Sequence, residues 1–322
     1  MKPKVLCTHH IPKKGLFLLE KEFEIEFLNE NLSINDQLEE KLPKIHYLIP
    51  LLSIQITRHH MELAPNLKGI ANYAVGYNNI DIEAAKEFDI KVTNTPDVLT
   101  NATADLVWAL ILAVTRRIVE GDAICRRNEF PGWLPEYLLG YEVTGKTLGI
   151  VGAGRIGSAV GKRGLGFDMK IIYFSRSRRP DLEENYGFIP YYSLQELLRD
   201  ADIISLNVPY TKETHHLISK KELKLMKSSS YLINTTRGKV INESDLIEAL
   251  ETRLIAGAGL DVFYEEPFIS ERMRKLSNIV MTPHIGSATT NARNAMAVMV
   301  AKNIIAIEVG DTPPNLIPEF EK

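Results

Sequence analysis

Cysteine is scarce in this chain of 322 residues, which has two, Cys7 and Cys125. They form neither a CxxC pair nor a metal-ligand cluster, so no disulfide scaffold and no metal site is expected. A reducing cytoplasm is the expected setting. An excess of one charge is also missing: 38 Lys+Arg stand against 41 Asp+Glu, a net charge of −3. That balance supplies no field for nucleic acid or an anionic membrane, and neither is expected as a partner. Long hydrophobic runs are absent too. The longest, Leu106–Thr115, is about half of what a membrane-spanning helix needs, and the opening MKPKVLCTHHIPKKG has no apolar signal core. No repeat of fixed period and no low-complexity segment occurs. What remains, 45% hydrophobic and 25% charged residues, is the composition of a globular protein, and it excludes global disorder.

At roughly 150 residues per domain the length is a prior for two domains. Short β-rich runs alternate with amphipathic stretches from the start: KVLCT (4–8), EIEFL (24–28), HYLIP (46–50), LKGIAN (67–72) and IKVTN (90–94) read as strands with helices between. Such alternation builds a parallel sheet, because each parallel crossover needs a covering element. A five-stranded flavodoxin-like lobe is expected, closed by the turn Asn94-Thr95-Pro96-Asp97. A long helix is predicted from about Ala102 to Cys125, with Asn101 able to cap it. After a loop with Pro131, Gly132, Trp133 and Pro135 the alternation restarts with TLGIV (147–151), KIIYF (170–174), DIISLNV (202–208), YLINT (231–235), AGLDV (258–262) and IVMT (279–282). These six strands predict a second sheet. A last helix, Ala288 to about Val309, is too short for a domain and is expected to return to the first lobe.

Val151-Gly152-Ala153-Gly154-Arg155-Ile156-Gly157 is a GxGxxG between an apolar strand and a helix-compatible run, and a second strand follows. In that context the pattern reads as a dinucleotide-binding turn. Gly152 permits the tight turn, Gly154 lets the backbone approach a pyrophosphate, and Gly157 lets helix and strand pack closely. The helix N-terminus favours the phosphate charge. At the end of the second strand, where recognition of the NAD ribose usually requires Asp or Glu, the chain has Phe174-Ser175-Arg176-Ser177-Arg178-Arg179. Cations and hydroxyls suit a 2′-phosphate, so NADP(H) is expected to be preferred, with NAD(H) possible.

Three further groups each follow a predicted strand: Asn234-Thr235-Thr236-Arg237-Gly238, Leu260-Asp261 through Glu266-Pro267, and Thr282-Pro283-His284-Ile285-Gly286. Ligands of open α/β sheets bind beyond the carboxyl ends of the strands, so Arg237, Glu266 and His284 are candidates to converge over one crevice.

From Lys4 to about Glu319 the chain resembles the D-isomer-specific 2-hydroxyacid dehydrogenases, most of all the glyoxylate/hydroxypyruvate reductases. The segments that carry the resemblance are NLKGIANYAVGYNNID, VTNTPDVLTNATADL, GKTLGIVGAGRIG, INTTRGKVINESDLIEAL, AGAGLDVFYEEP and TPHIGSATTNAR. The 29 residues from Arg237 to Glu266 and the 18 from there to His284 keep the family's spacing. The resemblance implies a Rossmann cofactor lobe (101–286) inserted in a flavodoxin-like substrate lobe (1–100 and 287–322), and a homodimer. It implies His284 as acid/base, Glu266 as the partner that holds the imidazole protonated, and Arg237 as the clamp on the substrate carboxylate. Leu52, Ser53, Val75, Gly76 and, from a neighbouring subunit, Trp133 would surround the substrate. Asp261 would receive the nicotinamide carboxamide. Thr103, Arg155, Ile156, Val208, Pro209, Thr214, Thr235, Thr236, Ile285 and Gly286 would complete the cofactor site. Asn78 stands where the family commonly has Asp, and Thr236 where it has Ala, departures that bear on substrate preference.

The activity this implies is reduction of glyoxylate or hydroxypyruvate to glycolate or D-glycerate. The alternatives within the class are D-lactate, phosphoglycerate and broad 2-ketoacid dehydrogenases. With 38 residues after His284, a long-form phosphoglycerate dehydrogenase with a regulatory C-terminal domain is not expected. A nucleotide-sensing binding protein of the same fold is the alternative from another class.

Overall fold

The computed structural model describes residues 2–191 and 193–320. The chain divides into two compact units, one holding the residues up to Leu99 together with those from Ser287 onward, the other Thr100–Gly286.

In the first unit five parallel strands, β1 (Lys4–Cys7), β2 (Glu24–Phe27), β3 (Tyr47–Ile49), β4 (Gly69–Ala71) and β5 (Lys91–Thr93), lie in the order β2-β1-β3-β4-β5. This is the flavodoxin-like order. Val5, Leu6, Leu48, Ile70 and Val92 are fully buried, as a sheet covered on both faces requires. Ser33, Asp81 and Thr289 cap the helices Ile34–Lys41, Ile82–Glu87 and Thr290–Val309 by accepting a backbone N–H three residues on. The last of these helices belongs to this unit and packs against the helix Lys13–Leu19. A Cβ on Gly15 would lie 2.1 Å from the carbonyl oxygen of Ala297, so the two helices meet at a point where no side chain fits.

The second unit has seven parallel strands, not six: β6 (Thr147–Val151), β7 (Lys170–Phe174), β8 (Ile189–Pro190), β9 (Ile203–Leu206), β10 (Tyr231–Asn234), β11 (Gly257–Leu260) and β12 (Ile279–Met281). Their order is β12-β11-β10-β9-β6-β7-β8, a Rossmann arrangement whose direction of winding reverses between β6 and β9. The extra strand, β8, is two residues long, too short for a periodic signal. Its Pro190 is tolerated because it lies on the sheet edge beside Tyr173. The long helix expected from Ala102 to Cys125 is two helices, Thr100–Thr115 and Ile118–Arg126, broken where Arg117 takes a left-handed φ of 53°. Asn101 does not cap the first of them. It lies inside the first turn and accepts from Arg163 Nη2 at 3.2 Å. Cys7 and Cys125 are both unbridged, and among the described residues no His/Cys/Asp/Glu cluster has a metal-binding arrangement. No described helix is long and apolar enough to cross a membrane.

Candidate functional site

The site begins at the carboxyl ends of the Rossmann strands, beside the winding reversal. Gly152 takes φ +96°, and a Cβ there would stand 2.6 Å from the backbone oxygen of Asn207, so the turn after β6 needs glycine twice over. Gly157 faces Gly152 so closely that a Cβ would come within 2.1 Å of its oxygen. Gly154 is different. Nothing lies within 4 Å of a Cβ at that position, which leaves open space over the start of the helix Arg155–Leu165. That space, above the unpaired end of a helix, fits a pyrophosphate. Two buried polar atoms without partners, Asn207 Oδ1 and Thr235 Oγ1, sit just past the ends of β9 and β10. Orphaned acceptors and donors at strand ends are what a polar ligand satisfies. Arg155 is exposed and Ile156 partly buried.

The basic turn after β7 is less basic than its sequence. Arg178 donates through Nε to both oxygens of Glu183 at 2.9 Å, and through Nη2 at 2.5 Å. Arg179 forms a fork on Asp181 at 2.8 and 2.7 Å, and its Nη1 donates to the carbonyl of Ala153 inside the glycine-rich turn. Arg176 and Ser177 are exposed, Ser175 partly buried. Arg176 has no ion pair among the described residues; the nearby Glu213 carboxyl is held below its ordinary range first by a hydrogen bond from Thr211, with the Arg176 charge a minor contributor. The bracing role of Arg179 is not visible in sequence, where it is one more arginine in a run. On the far side, Thr214 is spent on structure: its hydroxyl donates to Pro209 O and accepts from Thr211 N, which shapes the segment after Val208.

Arg237, Glu266 and His284 belong to this same unit, and the fold brings them together. A Cβ at Gly238 would lie 2.0 Å from the backbone of Phe263, so the turn after β10 presses directly on the segment leading to Glu266. Thr236 turns inward instead, its N–H and hydroxyl both donating to Asn234 Oδ1. Glu266 Oε2 lies 2.7 Å from His284 Nδ1, and Oε1 accepts from the backbone N–H of Phe263 at 3.0 Å. Burial acts to raise the Glu266 pKa, but hydrogen bonding and charge from His284, then Phe263 N–H and Arg237, outweigh it and hold the carboxyl below its ordinary range. Burial lowers the pKa of the Arg237 guanidinium while the Glu266 charge opposes that shift; it remains a cation. Its Nη1 donates to the carbonyl of Thr236 at 2.7 Å.

His284 sits at φ 52° in a tight loop, and Asp261 is the anchor of that loop. Its carboxylate is fully buried and accepts from Thr282 Oγ1 (2.6 Å), Ile285 N (2.8 Å) and Gly286 N (2.7 Å). Burial raises the Asp261 pKa, and the three donors oppose that shift. The expected carboxamide receiver is thus first a clamp on the histidine loop. Thr103 packs beside Gly286.

Leu52, Ser53, Val75 and Gly76 lie in the other unit, in the turns that follow β3 and β4. Ser53 is exposed, and the other three are partly buried. Asn94 Nδ2 supports the second turn by donating to Val75 O at 2.7 Å. Trp133 is 84% exposed on the loop before β6.

Residues 108–286 match the family model described as the NAD binding domain of D-isomer specific 2-hydroxyacid dehydrogenases. The chain is 53% identical over 322 residues to a glyoxylate reductase of Thermococcus litoralis, covering 98% of this chain and 97% of the relative. A solved structure of a Thermus thermophilus protein superposes with a TM-score of 0.92 at 42% identity, over 98% of this chain and 99% of that one. An NADPH-dependent glyoxylate/hydroxypyruvate reductase of Sinorhizobium meliloti, in complex with NADP and malonate, gives 0.88 at 30% identity over 99% and 98%.

Proposed function

We propose that this chain, which belongs to the D-isomer-specific 2-hydroxyacid dehydrogenases, reduces glyoxylate to glycolate and hydroxypyruvate to D-glycerate, with NADPH preferred and NADH also accepted. The observation that carries this reading is the 2.7 Å pair of His284 and Glu266 beside the Arg237 guanidinium, in one unit with the glycine-rich turn. Open space at Gly154 and the orphaned atoms of Asn207 and Thr235 fit a nicotinamide dinucleotide. When bound, that group supplies a hydride to the carbonyl carbon of the 2-oxo acid. His284 delivers the proton to the carbonyl oxygen, from Nε2, because Nδ1 is engaged by Glu266. The product is the 2-hydroxy acid, one hydride and one proton richer. Glu266 fixes the orientation of the ring through Nδ1. Arg237 grips the substrate carboxylate with its planar fork and stabilises charge as it develops on the carbonyl oxygen. As the family resemblance implies, Leu52, Ser53, Val75 and Gly76 surround the substrate, and the turn at Val75 and Gly76 contributes backbone N–H groups to its carboxylate.

The relatives' reductase names support the substrate, and the NADP complex of the Sinorhizobium protein supports the cofactor. The test is a substrate panel of glyoxylate, hydroxypyruvate, pyruvate and phosphohydroxypyruvate with each reduced cofactor, read by loss of the nicotinamide's near-ultraviolet absorbance. Turnover of glyoxylate and hydroxypyruvate above the others supports the assignment. Binding of cofactor without turnover of any 2-oxo acid would favour a nucleotide sensor. The chain is also a homodimer in this reading, as the family resemblance implies, and the loop before β6 exposes Phe130, Trp133, Leu134 and Leu139. Light scattering at micromolar concentration checks that state, and a monomer would reject it.

A further inference from the structure

Asn72 and Asn79 are buried polar side chains with no part in the steps above. Asn72 is fully buried and Asn79 is 1% exposed. Their carboxamides pair reciprocally, Nδ2 of each donating to Oδ1 of the other at 3.2 Å. The remaining capacity of each amide is spent in opposite directions. Asn72 Nδ2 also donates to the carbonyl of Gly76 at 2.9 Å. Asn79 Nδ2 also donates to the carbonyls of Leu51 at 3.3 Å and Ile54 at 3.1 Å, and the Asn79 backbone oxygen accepts from Ile56 N at 2.7 Å. One amide couple therefore ties the turn at 51–54, after β3, to the turn at 75–76, after β4.

Apolar side chains of similar volume would fill the space, whereas the amides are tolerated there because each finds partners, the carbonyls of Leu51, Ile54 and Gly76 among them. What an apolar pair lacks is direction. Hydrogen bonds to Leu51, Ile54 and Gly76 carbonyls fix where two separate turns stand relative to each other. We propose that Asn72 and Asn79 form a positioning pair that sets the spacing between the two turns that surround the 2-oxo acid. The proposal rests on the substrate reading above. Neither asparagine touches the substrate; each acts through the backbone of Ser53 or Gly76. A misplacement of about 1 Å in groups that orient a substrate can cost about a hundredfold.

The experiment compares wild type with Asn72→Ala, Asn79→Ala and the double variant. The measurements are KM and kcat for glyoxylate, the Kd for NADPH by fluorescence titration, and the thermal midpoint. Each single change is expected to raise KM for glyoxylate by about tenfold and to leave the NADPH Kd unchanged. The double variant is expected to be no worse than the worse single one, because both remove the same link. Additive losses, a wild-type KM in both singles, or a parallel loss of NADPH affinity would overturn the pairing. Asn79→Ser, which keeps one donor and one acceptor, serves if the alanine variants fail to fold. Hydrogen exchange read on that variant needs no substrate, so it separates failure of the pair from failure of the reductase assignment: amides of both turns, 51–54 and 75–77, are expected to exchange faster, and a change confined to one turn would overturn the coupling.

Discussion

Glu266 is held at both carboxylate oxygens, by His284 Nδ1 at 2.7 Å on one side and by the Phe263 backbone N–H at 3.0 Å on the other. The ring of His284 thus takes its orientation from a carboxylate that is itself fixed by the main chain. In the proposed reaction, that hierarchy separates the residue assigned to the proton from the one that aims it.

His284→Ala is expected to lower kcat for glyoxylate reduction by about 10²–10⁴ with a small change in KM, as loss of a general acid does. Steady-state kinetics with a folded variant decide it, and unchanged kcat would remove His284 from the chemistry.

Glu266→Gln keeps the shape and deletes the charge. The variant is expected to lower kcat by about tenfold or more, since the imidazole loses the carboxylate that orients it at Nδ1. On the acid side the Glu266 pKa is depressed below its ordinary value of 4.5 in the folded protein. Its contribution to stability is therefore complete above that value and is lost as pH falls through the folded one. A kcat equal to wild type in Glu266→Gln would argue against the pair.

Arg237→Lys should fail nearly as badly as Arg237→Ala, losing about 10²-fold or more in kcat/KM, because a point charge does not reproduce the planar fork. Full rescue by lysine would show that only the charge matters.

Cofactor choice turns on how much of the basic turn is left after its internal ion pairs. Arg178 is engaged by Glu183 and Arg179 by Asp181, so under the proposed NADPH preference Arg176 is the residue to test against the 2′-phosphate. An exposed charge contact is worth about 0–1 kcal/mol and a well-formed charge-assisted bond about 1.5–3 kcal/mol. Arg176→Ala is expected to raise KM for NADPH by roughly three- to tenfold and to spare NADH. Arg179→Ala should weaken both cofactors alike, since it acts through the Ala153 carbonyl. Equal wild-type efficiency with NADPH and NADH would end the NADPH assignment.

Asp261→Ala strands the N–H groups of Ile285 and Gly286 and the Thr282 hydroxyl. With each unsatisfied buried group costing about 1–3 kcal/mol, the variant is expected to lose at least about 3 kcal/mol of stability by denaturant titration. A midpoint close to wild type would mean that the loop finds other acceptors.

The two sheets were legible because β-branched runs such as KIIYF and TLGIV leave no competing period, and the glycine spacing marks where β6 turns into its helix. The break at Arg117 was hidden, since the helical pattern runs on through Arg116-Arg117 and only a left-handed backbone interrupts it. The trio at Arg237, Glu266 and His284 was visible as strand-end residues. Its support was not: Asp261 reads as a ligand contact, while its clamp on Ile285 and Gly286 depends on side-chain direction. Asn72 and Asn79, polar residues inside IANYAVGYNNI, were the one unexploited signal, because an amide in an otherwise apolar stretch has to find partners.

The contact of Gly15 with Ala297 bears on how the protein comes to be made. It joins residues far apart in sequence, so a ribosome releases all five strands of the first unit, and then the whole of the second, before the helix Thr290–Val309, one of those that cover that sheet, exists. Until then the apolar face next to Gly15 has no lid. A nascent chain of this design carries a partly uncovered sheet while the second unit is made, and that unit, one uninterrupted stretch, is positioned to finish first.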